Sequence, residues 1–328
     1  MSVLVSEYPR DRYGLVRRST ANDIGISDDE LAAAVKRADL VRLTRGVYMV
    51  APEPVVPVDH AGSSASATRA AVDPAEKYRL TCLAVATSGP KCDAPLSHQS
   101  AAALHGLPLL KPDRSRVHTV TGGADGGSRR SGRHRHSGLL ADDEVVVIDG
   151  VRVTSLRRTA LDVARSGSFA QALTAIDGVL ARGVDRDDLA GALAGRAVAG
   201  RRLARAAVRY GDARSESVGE SWSRAQMIAA GLPTPRLQVE YTVAGGRCRC
   251  DFGWDDVLVG EFDGLIKYQG VFRPNEPGHL AVVREKRRED AMRNAGLDVV
   301  RWIWADLEAD RMVPLLRDRM RRCGLLPG

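Results

Sequence analysis

The stretch CRCDFGWDDVLVGEFDGLIKYQG, residues 248–270, places acidic side chains inside the apolar pattern of two short β-strands. The strands are joined by the short connection WDD, so we expect them to be antiparallel neighbours. Because successive side chains of a strand alternate between its two faces, Glu261 and Asp263 share one face. Asp251 on the neighbouring strand can join them there. The sequence therefore predicts three carboxylates on one side of a small sheet.

Such a cluster is unfavourable unless a cation lies within it, because like charges repel at short range. Carboxylate oxygens are the ligands that Mg²⁺ prefers. We therefore expect Mg²⁺, or Mn²⁺ in its place, to be bound by Asp251, Glu261 and Asp263. Lys267 is placed to reach the same site, and Glu220 supplies a fourth acid if the preceding helix packs across the sheet.

Each acid also has a purely structural interpretation. Asp251 could end a strand, and Asp263 could belong to a turn with the glycine that follows it. Glu261 could form an ion pair with an arginine of the charged helix predicted near 284–293. The combination of all three acids with Lys267 favours the metal site.

The last segment, 213–328, has a characteristic order of predicted elements: helix, three strands, helix, strand, helix. With Asp251 and Glu261 on its second and third strands, it resembles the PD-(D/E)XK nuclease superfamily, in particular the Vsr-like branch. The resemblance implies a restriction-endonuclease-like α-β-β-β-α-β core, in which Asp251 matches the first acid and Glu261 the second. It also implies hydrolysis of DNA phosphodiester bonds with a divalent metal ion.

One position departs from the superfamily pattern. The residue two after Glu261 should be lysine, but it is Asp263. The stretch EFDGLIK resembles the Vsr-like form E-x-D-G-x-x-H, with Lys267 in the place of histidine. Either Lys267 takes over the role of the missing lysine, or the site is weak or inactive. Asp290, Arg293 and Arg301 also stand in places that correspond to that group.

The stretch STANDIGISDDELAAAVKRADLVRLTRGVYMV, residues 19–50, predicts a winged helix-turn-helix over 1–50. Ser27 and Glu30 form a capping-box pattern at the start of a helix, and the hydrophobic period then changes to that of a β-hairpin. Cations on the second helix and the wing are placed for phosphate contacts: Lys36, Arg37, Arg42 and Arg45. The alternative is a winged helix that binds protein or covers a neighbouring domain.

Residues 51–75 have the composition of a linker, and 76–212 form a predicted α/β middle domain. The runs LSHQSAAALHGLP at 96–108 and VVVIDGVRVTSLRRTALDVAR at 145–165 are similar to those of AbiEi-like antitoxin proteins. That resemblance extends over roughly the first 210 residues. It implies a DNA-binding autoregulator of a toxin operon. The chain is thus predicted to be an α+β multidomain protein.

Five histidines of the middle segment do not have the spacing of any metal-ligand motif: His98, His105, His118, His134 and His136. Two of them lie in GGADGGSRRSGRHRHSG, residues 122–138, which we interpret as a flexible basic loop. Solvent exposure, or contact with a phosphate backbone, is favoured over metal binding.

The composition limits the classes of function. The 328 residues carry a formal net charge of +7, which favours a polyanionic partner such as DNA. The sequence has neither an apolar run long enough for a membrane span nor the pattern of a signal peptide, so we expect a cytoplasmic protein without membrane contact. The five cysteines do not indicate a disulfide framework.

Three functions are compatible with these patterns. In the first, the protein is a DNA endonuclease in which the metal ion activates water, Lys267 stabilises the developing charge and Glu220 orients a metal-bound water. In the second, it is an AbiEi-like transcriptional regulator or antitoxin with an inactive nuclease-like domain. In the third, its middle domain binds a toxin protein. The target sequence and the oligomeric state are left open.

Overall fold

A computed structural model describes most of the chain. The described residues are 4–55, 68–69, 71–89, 94–123, 126–130, 132–194, 199–244, 246–264 and 278–327. The chain divides into two compact units, Met1–Gly106 with Asp113–Ser155, and Leu107–Pro112 with Leu156–Gly328. Both units contain helices and strands, which confirms the prediction of a mixed α and β protein. The domain boundaries predicted at 50, 75 and 212 stay predictions, and most of the 51–75 linker lies outside the described residues.

The first unit begins with two short helices and a three-stranded sheet. These elements are β1 (Leu15–Arg17), α1 (Arg18–Asp23), α2 (Asp28–Lys36), β2 (Leu40–Thr44) and β3 (Val47–Val50). The sheet is antiparallel, with β3 between β1 and β2. The predicted capping box at the start of α2 is confirmed, since Ser27 N donates to the Glu30 carboxylate at 2.8 Å and Glu30 N donates to Ser27 Oγ at 3.3 Å. This cap starts α2 at Asp28, directly after the turn that follows α1.

The rest of the first unit contains two further helices and three small sheets. Its elements are β4 (Pro54–Val55), β5 (Thr68–Arg69), α3 (Pro74–Ala86), α4 (His98–Leu104), β6 (Val117–Gly122), β7 (Ser128–Arg130), β8 (Arg133–Leu139), β9 (Val145–Ile148) and β10 (Val151–Thr154). Strand β8 lies between β6 and β7, parallel to β6 and antiparallel to β7. The predicted hairpin at Asp149-Gly150 is confirmed, and both residues have the positive φ that such a turn requires.

The expectation of a flexible loop over 122–138 was wrong for much of the segment, because Ser128–Arg130 form β7 and Arg133–Leu139 form β8. In the sequence RHRHS, arginine and histidine alternate with the period of two that is typical of a strand. Parallel backbone hydrogen bonds to β6 hold this strand in place. A strand whose apolar side chain comes only at its end lacks the pattern by which strands are usually recognised.

The second unit combines a helical part with a four-stranded mixed sheet. Its elements are α5 (Leu156–Ser166), α6 (Phe169–Leu180), α7 (Arg186–Ala192), α8 (Arg201–Tyr210), α9 (Val218–Ala229), β11 (Arg236–Val243), β12 (Gly246–Trp254), β13 (Leu258–Asp263), α10 (Gly278–Asn294), β14 (Asp298–Ile303), α11 (Trp304–Glu308) and α12 (Met312–Arg322). The strand order is β11-β12-β13-β14, antiparallel except for the parallel pair of β13 and β14. The described cysteines are free thiols.

Helix α9 packs closely against this sheet at one glycine. A methyl group added at Gly219 would lie 2.0 Å from Cε1 of the buried Phe262. We therefore expect Gly219→Ala to lower the free energy of unfolding by about 1–3 kcal/mol, as overpacked core substitutions do. Gly191 in α7 is a matched helical control with nothing within 4 Å of the added methyl group, and Gly191→Ala should stabilise by about 0.5–1 kcal/mol. Urea denaturation of both variants tests this contrast, and equal effects would contradict it.

Candidate functional site

Asp251 lies at an irregular point of β12. Cys248 and Cys250 belong to the apolar cluster around Met292, whereas Phe252 belongs to the cluster around Trp302. The strand therefore changes face at Asp251, since residues two apart would otherwise share a face. Irregular strand positions of this kind re-aim a side chain. They are over-represented next to functional sites.

The Asp251 carboxylate faces the next strand, where its Oδ2 accepts a hydrogen bond from Phe262 N at 2.9 Å. It lies near Glu220, which is buried at the start of α9. Burial raises the pKa of Glu220, and the negative charge of Asp251 raises it further. Hydrogen bonds from Ser217 Oγ at 2.7 Å and Gln238 Nε2 at 2.9 Å oppose this shift. The structure thus brings two of the predicted site residues, Asp251 and Glu220, close together.

Glu261 is buried and bound by arginines. Its Oε1 accepts from Arg288 Nη2, and its Oε2 lies 3.2 Å from Arg288 Nη1 and 3.0 Å from Arg301 Nη2. Only 8% of the Glu261 side chain is exposed. A carboxylate buried with two guanidinium groups is already neutralised and has both oxygens occupied. This is the structural alternative that the sequence left open, with Arg288 as the arginine of the charged helix.

The same arginines connect Glu261 to further acids. Arg301 Nη1 lies 3.9 Å from Asp263 Oδ2, and Arg301 Nη2 lies 2.5 Å from Glu285 Oε1. Arg288 Nη1 lies 2.8 Å from the same Glu285 oxygen. Burial alone would lower the pKa values of the Arg288 and Arg301 guanidinium groups. The surrounding carboxylates stabilise the charged form, and both pKa values are raised as a result. The acids of β13 therefore belong to a network of alternating charges.

In this arrangement the charge of Glu261, one of the three acids predicted to bind Mg²⁺, is compensated by arginine. Lys267 lies outside the described residues, so its predicted role stays a prediction. The predicted metal and catalytic roles of Asp251, Glu261, Asp263 and Glu220 are untested as well. A role for Glu261 in metal binding would require that Arg288 and Arg301 first move away from it.

A second group of charged residues lines a cavity of about 640 Å³ in the first unit. Its arginines come from three strands: Arg130 from β7, Arg133 and Arg135 from β8, and Arg152 from β10. All four side chains are exposed. Arg133 and Arg135 lie on one face of β8, and the histidines between them lie on the other, as strand alternation requires. The cavity was not predicted, because the segment was interpreted as a loop, although the alternation RHRH is a usable signal of a strand.

The comparison with known proteins concerns this part of the chain. Residues 94–209 match the family described as the AbiEi antitoxin C-terminal domain. The match confirms the AbiEi-like prediction for the middle segment. The matched residues include the strands β7, β8 and β10, whose arginines line the cavity. The match does not include the last segment, where the Vsr-like resemblance stays a prediction.

Two curated relatives were found, both uncharacterized proteins of Mycobacterium tuberculosis from different strains. Each is 32% identical over 159 residues, which are 47% of this chain and 55% of the relative. The chain thus matches about half the length of these relatives. In the part of the chain that the structure describes, no helix has the length and hydrophobicity of a membrane span.

The cations predicted to contact DNA lie at the surface of the first unit. Lys36 ends α2, Arg42 lies in β2 and Arg45 lies in the turn before β3, all with exposed side chains. Arg37 is also exposed, and its Nε lies 2.9 Å from Asp39 Oδ2. Three of these cations thus have no acidic partner within ion-pair distance among the described residues. They are available for phosphate groups, which is the role that the sequence predicted.

The structure also brings together three of the five histidines, His98, His118 and His136, which were expected to be exposed or in contact with DNA. They come from α4, β6 and β8. No spacing motif could have revealed this group, because the three residues meet only through the packing of α4 on the sheet.

Proposed function

We propose that this protein is a DNA-binding transcriptional regulator of the antitoxin type, with a nuclease-like last domain that does not cleave DNA. The observation that carries the proposal is the set of exposed arginines on β7 and β8 within the segment that matches the AbiEi antitoxin C-terminal domain. Exposed guanidinium groups on adjacent strands suit the phosphates of a DNA backbone, which they contact through paired N–H donors.

The first unit supports this proposal at a second place. Its N-terminal part has the order strand, helix, helix, hairpin that a winged helix requires, and it presents the exposed cations Lys36, Arg42 and Arg45. In such folds the second helix and the wing contact DNA. We infer that this part holds the duplex and that the arginines of β7 and β8 add further phosphate contacts. Such a role places the protein in the cytoplasm, with DNA as its partner.

The ion pairs of Glu261 support the absence of cleavage. The element order around β11–β14 agrees with the order that the Vsr-like resemblance implies, but Arg288 and Arg301 contact the carboxylate that would bind the metal ion. The rival function, a Mg²⁺- or Mn²⁺-dependent endonuclease, rests on the proximity of Asp251 and Glu220 in that core. A toxin protein bound through the middle segment is compatible with either function.

The two functions differ in one pair of measurements. We expect the full chain to protect a defined site upstream of its own gene in a footprinting assay, and to leave supercoiled plasmid intact with Mg²⁺ or Mn²⁺. Asp251→Ala should not change either result. Cleavage by the wild type that Asp251→Ala abolishes would overturn the proposal in favour of the nuclease. Equal cleavage by both proteins would reject the site around Asp251 as the source of the activity, and the absence of any protected site would contradict the proposal.

A further inference from the structure

Four histidines from three elements converge on one side of the β6–β8–β7 sheet. The parallel ladder places His118 of β6 beside His134 of β8, and His136 follows on the same face of β8. His98, at the start of α4, stacks on His136 with ring centroids 3.7 Å apart. His134 lies on the other side of His136, also with ring centroids 3.7 Å apart. Imidazole groups collected in this way are the commonest ligands of transition metals in proteins.

Three of these rings each place a nitrogen atom in one small region. One ring nitrogen each of His98, His118 and His136 lies within 4.8 Å of the other two. Nitrogen atoms bound to a single tetrahedral zinc ion at about 2.0–2.1 Å are about 3.3 Å apart. The pair of His118 Nδ1 and His136 Nε2, at 2.9 Å, is already closer than that. A shared ion would require the rings of His98 and His136, which are stacked with an interplanar angle of 15°, to rotate relative to each other, because the lone pair of an imidazole nitrogen lies in the plane of its ring.

The environment leaves His118 incompletely satisfied. Its Nε2 is buried without a hydrogen-bond partner among the described residues. This unpartnered atom costs about 1–3 kcal/mol, and it is a different nitrogen from the Nδ1 that lies 2.9 Å from His136 Nε2.

His98 is held in an unusual conformation. Its φ is +51°, in the left-handed region that residues other than glycine seldom adopt. Ser97 Oγ lies 3.0 Å from His98 Nδ1, which fixes the ring orientation. A hydrogen bond to the second ring nitrogen is the usual support of a metal-binding histidine. Backbone strain of this kind is concentrated at ligand-binding positions.

We propose that His98, His118 and His136 bind one divalent transition-metal ion, with zinc as the first candidate. Three neutral imidazoles select zinc and its neighbours in the transition series over Mg²⁺ and Ca²⁺, which prefer oxygen ligands. The ion ties α4 to β6 and β8. Three protein ligands leave a fourth position for water or for a group from a bound partner. This site is separate from the acids of the last segment and does not depend on the proposed DNA binding.

The test uses the full chain without a polyhistidine tag, stripped of metal with a chelator and titrated with Zn²⁺ and with Co²⁺. We expect one equivalent of zinc per chain by elemental analysis, visible d–d absorption of bound cobalt, and a higher melting temperature with zinc. His136→Gln, at a half-exposed position, should weaken zinc binding at least about tenfold, since the loss of a ligand costs no less than the loss of its supporting partner.

His105→Gln is the matched control, because the His105 ring bonds to Thr154 O at 2.7 Å and is not a member of the three-histidine group. It should bind zinc as the wild type does. The metal-free His136→Gln protein should melt at the temperature of the metal-free wild type, which shows that it folds. Unchanged zinc binding by His136→Gln, or no stoichiometric binding by the wild type, would overturn the proposal.

Discussion

Replacement of Arg130, Arg133 and Arg135 together by glutamine is expected to weaken DNA binding about a hundredfold at about 0.1 M salt. Each cation that neutralises a phosphate releases a counterion and contributes about 0.9 to the slope of log affinity against log salt concentration. Three lost contacts should therefore lower the slope by about 2.7. The three side chains are exposed on strands β7 and β8, so their removal leaves the apolar core of the unit in place.

The measurement is a titration of labelled duplex DNA by fluorescence anisotropy at several salt concentrations. The matched control removes the same total charge from another surface. It replaces three exposed arginines of α8 by glutamine: Arg202, Arg205 and Arg209. It should reduce the slope far less. A second arm, Arg42→Gln with Arg45→Gln, should lower the slope by about 1.8 if the hairpin contacts DNA as proposed. An unchanged slope in the β7–β8 variant would rule out this surface as a DNA contact.

The secondary structure of the last segment could be predicted because its signals are local. Alternating apolar residues define β11–β14, and glycine or a polar turn separates the strands. The three-residue strand β1 has no such pattern, and it forms only because β3 offers it a partner. The strands β7 and β8 were missed for a related reason, since their stability comes from pairing with β6 and not from their own hydrophobicity.

The candidate site could be predicted only in part, because the sequence shows which residues are charged but does not show which of them come into contact in the folded protein. Asp251 and Glu261 were correctly recognised as acids in adjacent strands. Whether Glu261 faces a metal ion or an arginine depends on how α10 lies across the sheet, and Arg288 is 27 residues away along the chain. The histidines are a second case, since their meeting point is set by tertiary packing. A metal-ligand motif can be recognised by residue spacing only when its ligands lie in one element or one turn. His98, His118 and His136 lie in three different elements, α4, β6 and β8.

The largest effect on stability is expected at a buried ion pair of the second unit. Arg224 Nη1 lies 2.7 Å from Asp177 Oδ2, and only 4% and 1% of the two side chains are exposed. Asp177 also accepts hydrogen bonds from Ser221 Oγ at 2.8 Å and from Asp212 N at 2.7 Å. Burial raises the pKa of Asp177, and the positive charge of Arg224 opposes that shift. The carboxylate is therefore held in place by the partners that surround it.

Asp177→Ala is expected to lower the free energy of unfolding by about 3–5 kcal/mol, because the Arg224 charge would be left buried without its partner. Asp318→Ala is the matched control, since Asp318 forms an exposed pair with Arg322 at 2.8 Å and should change stability by less than about 0.5 kcal/mol. The double variant Asp177→Leu with Arg224→Met should recover part of the loss, because two apolar side chains need no compensation. Urea denaturation measures all three, and a loss below about 1 kcal/mol in Asp177→Ala would contradict the argument.

The same pair bears on how the chain is organised. Asp177 lies in α6, within the segment that matches the AbiEi antitoxin C-terminal domain, whereas Arg224 lies in α9, after the predicted boundary at 212. A chain cut at 212 would leave the Asp177 carboxylate without Arg224 and Ser221. We therefore expect the fragment 1–212 to be less stable than the corresponding part of the full chain, since a buried charge without its partner is strongly destabilising. In a regulator with an inactive nuclease-like domain, this gives the last segment a structural role that does not require catalysis.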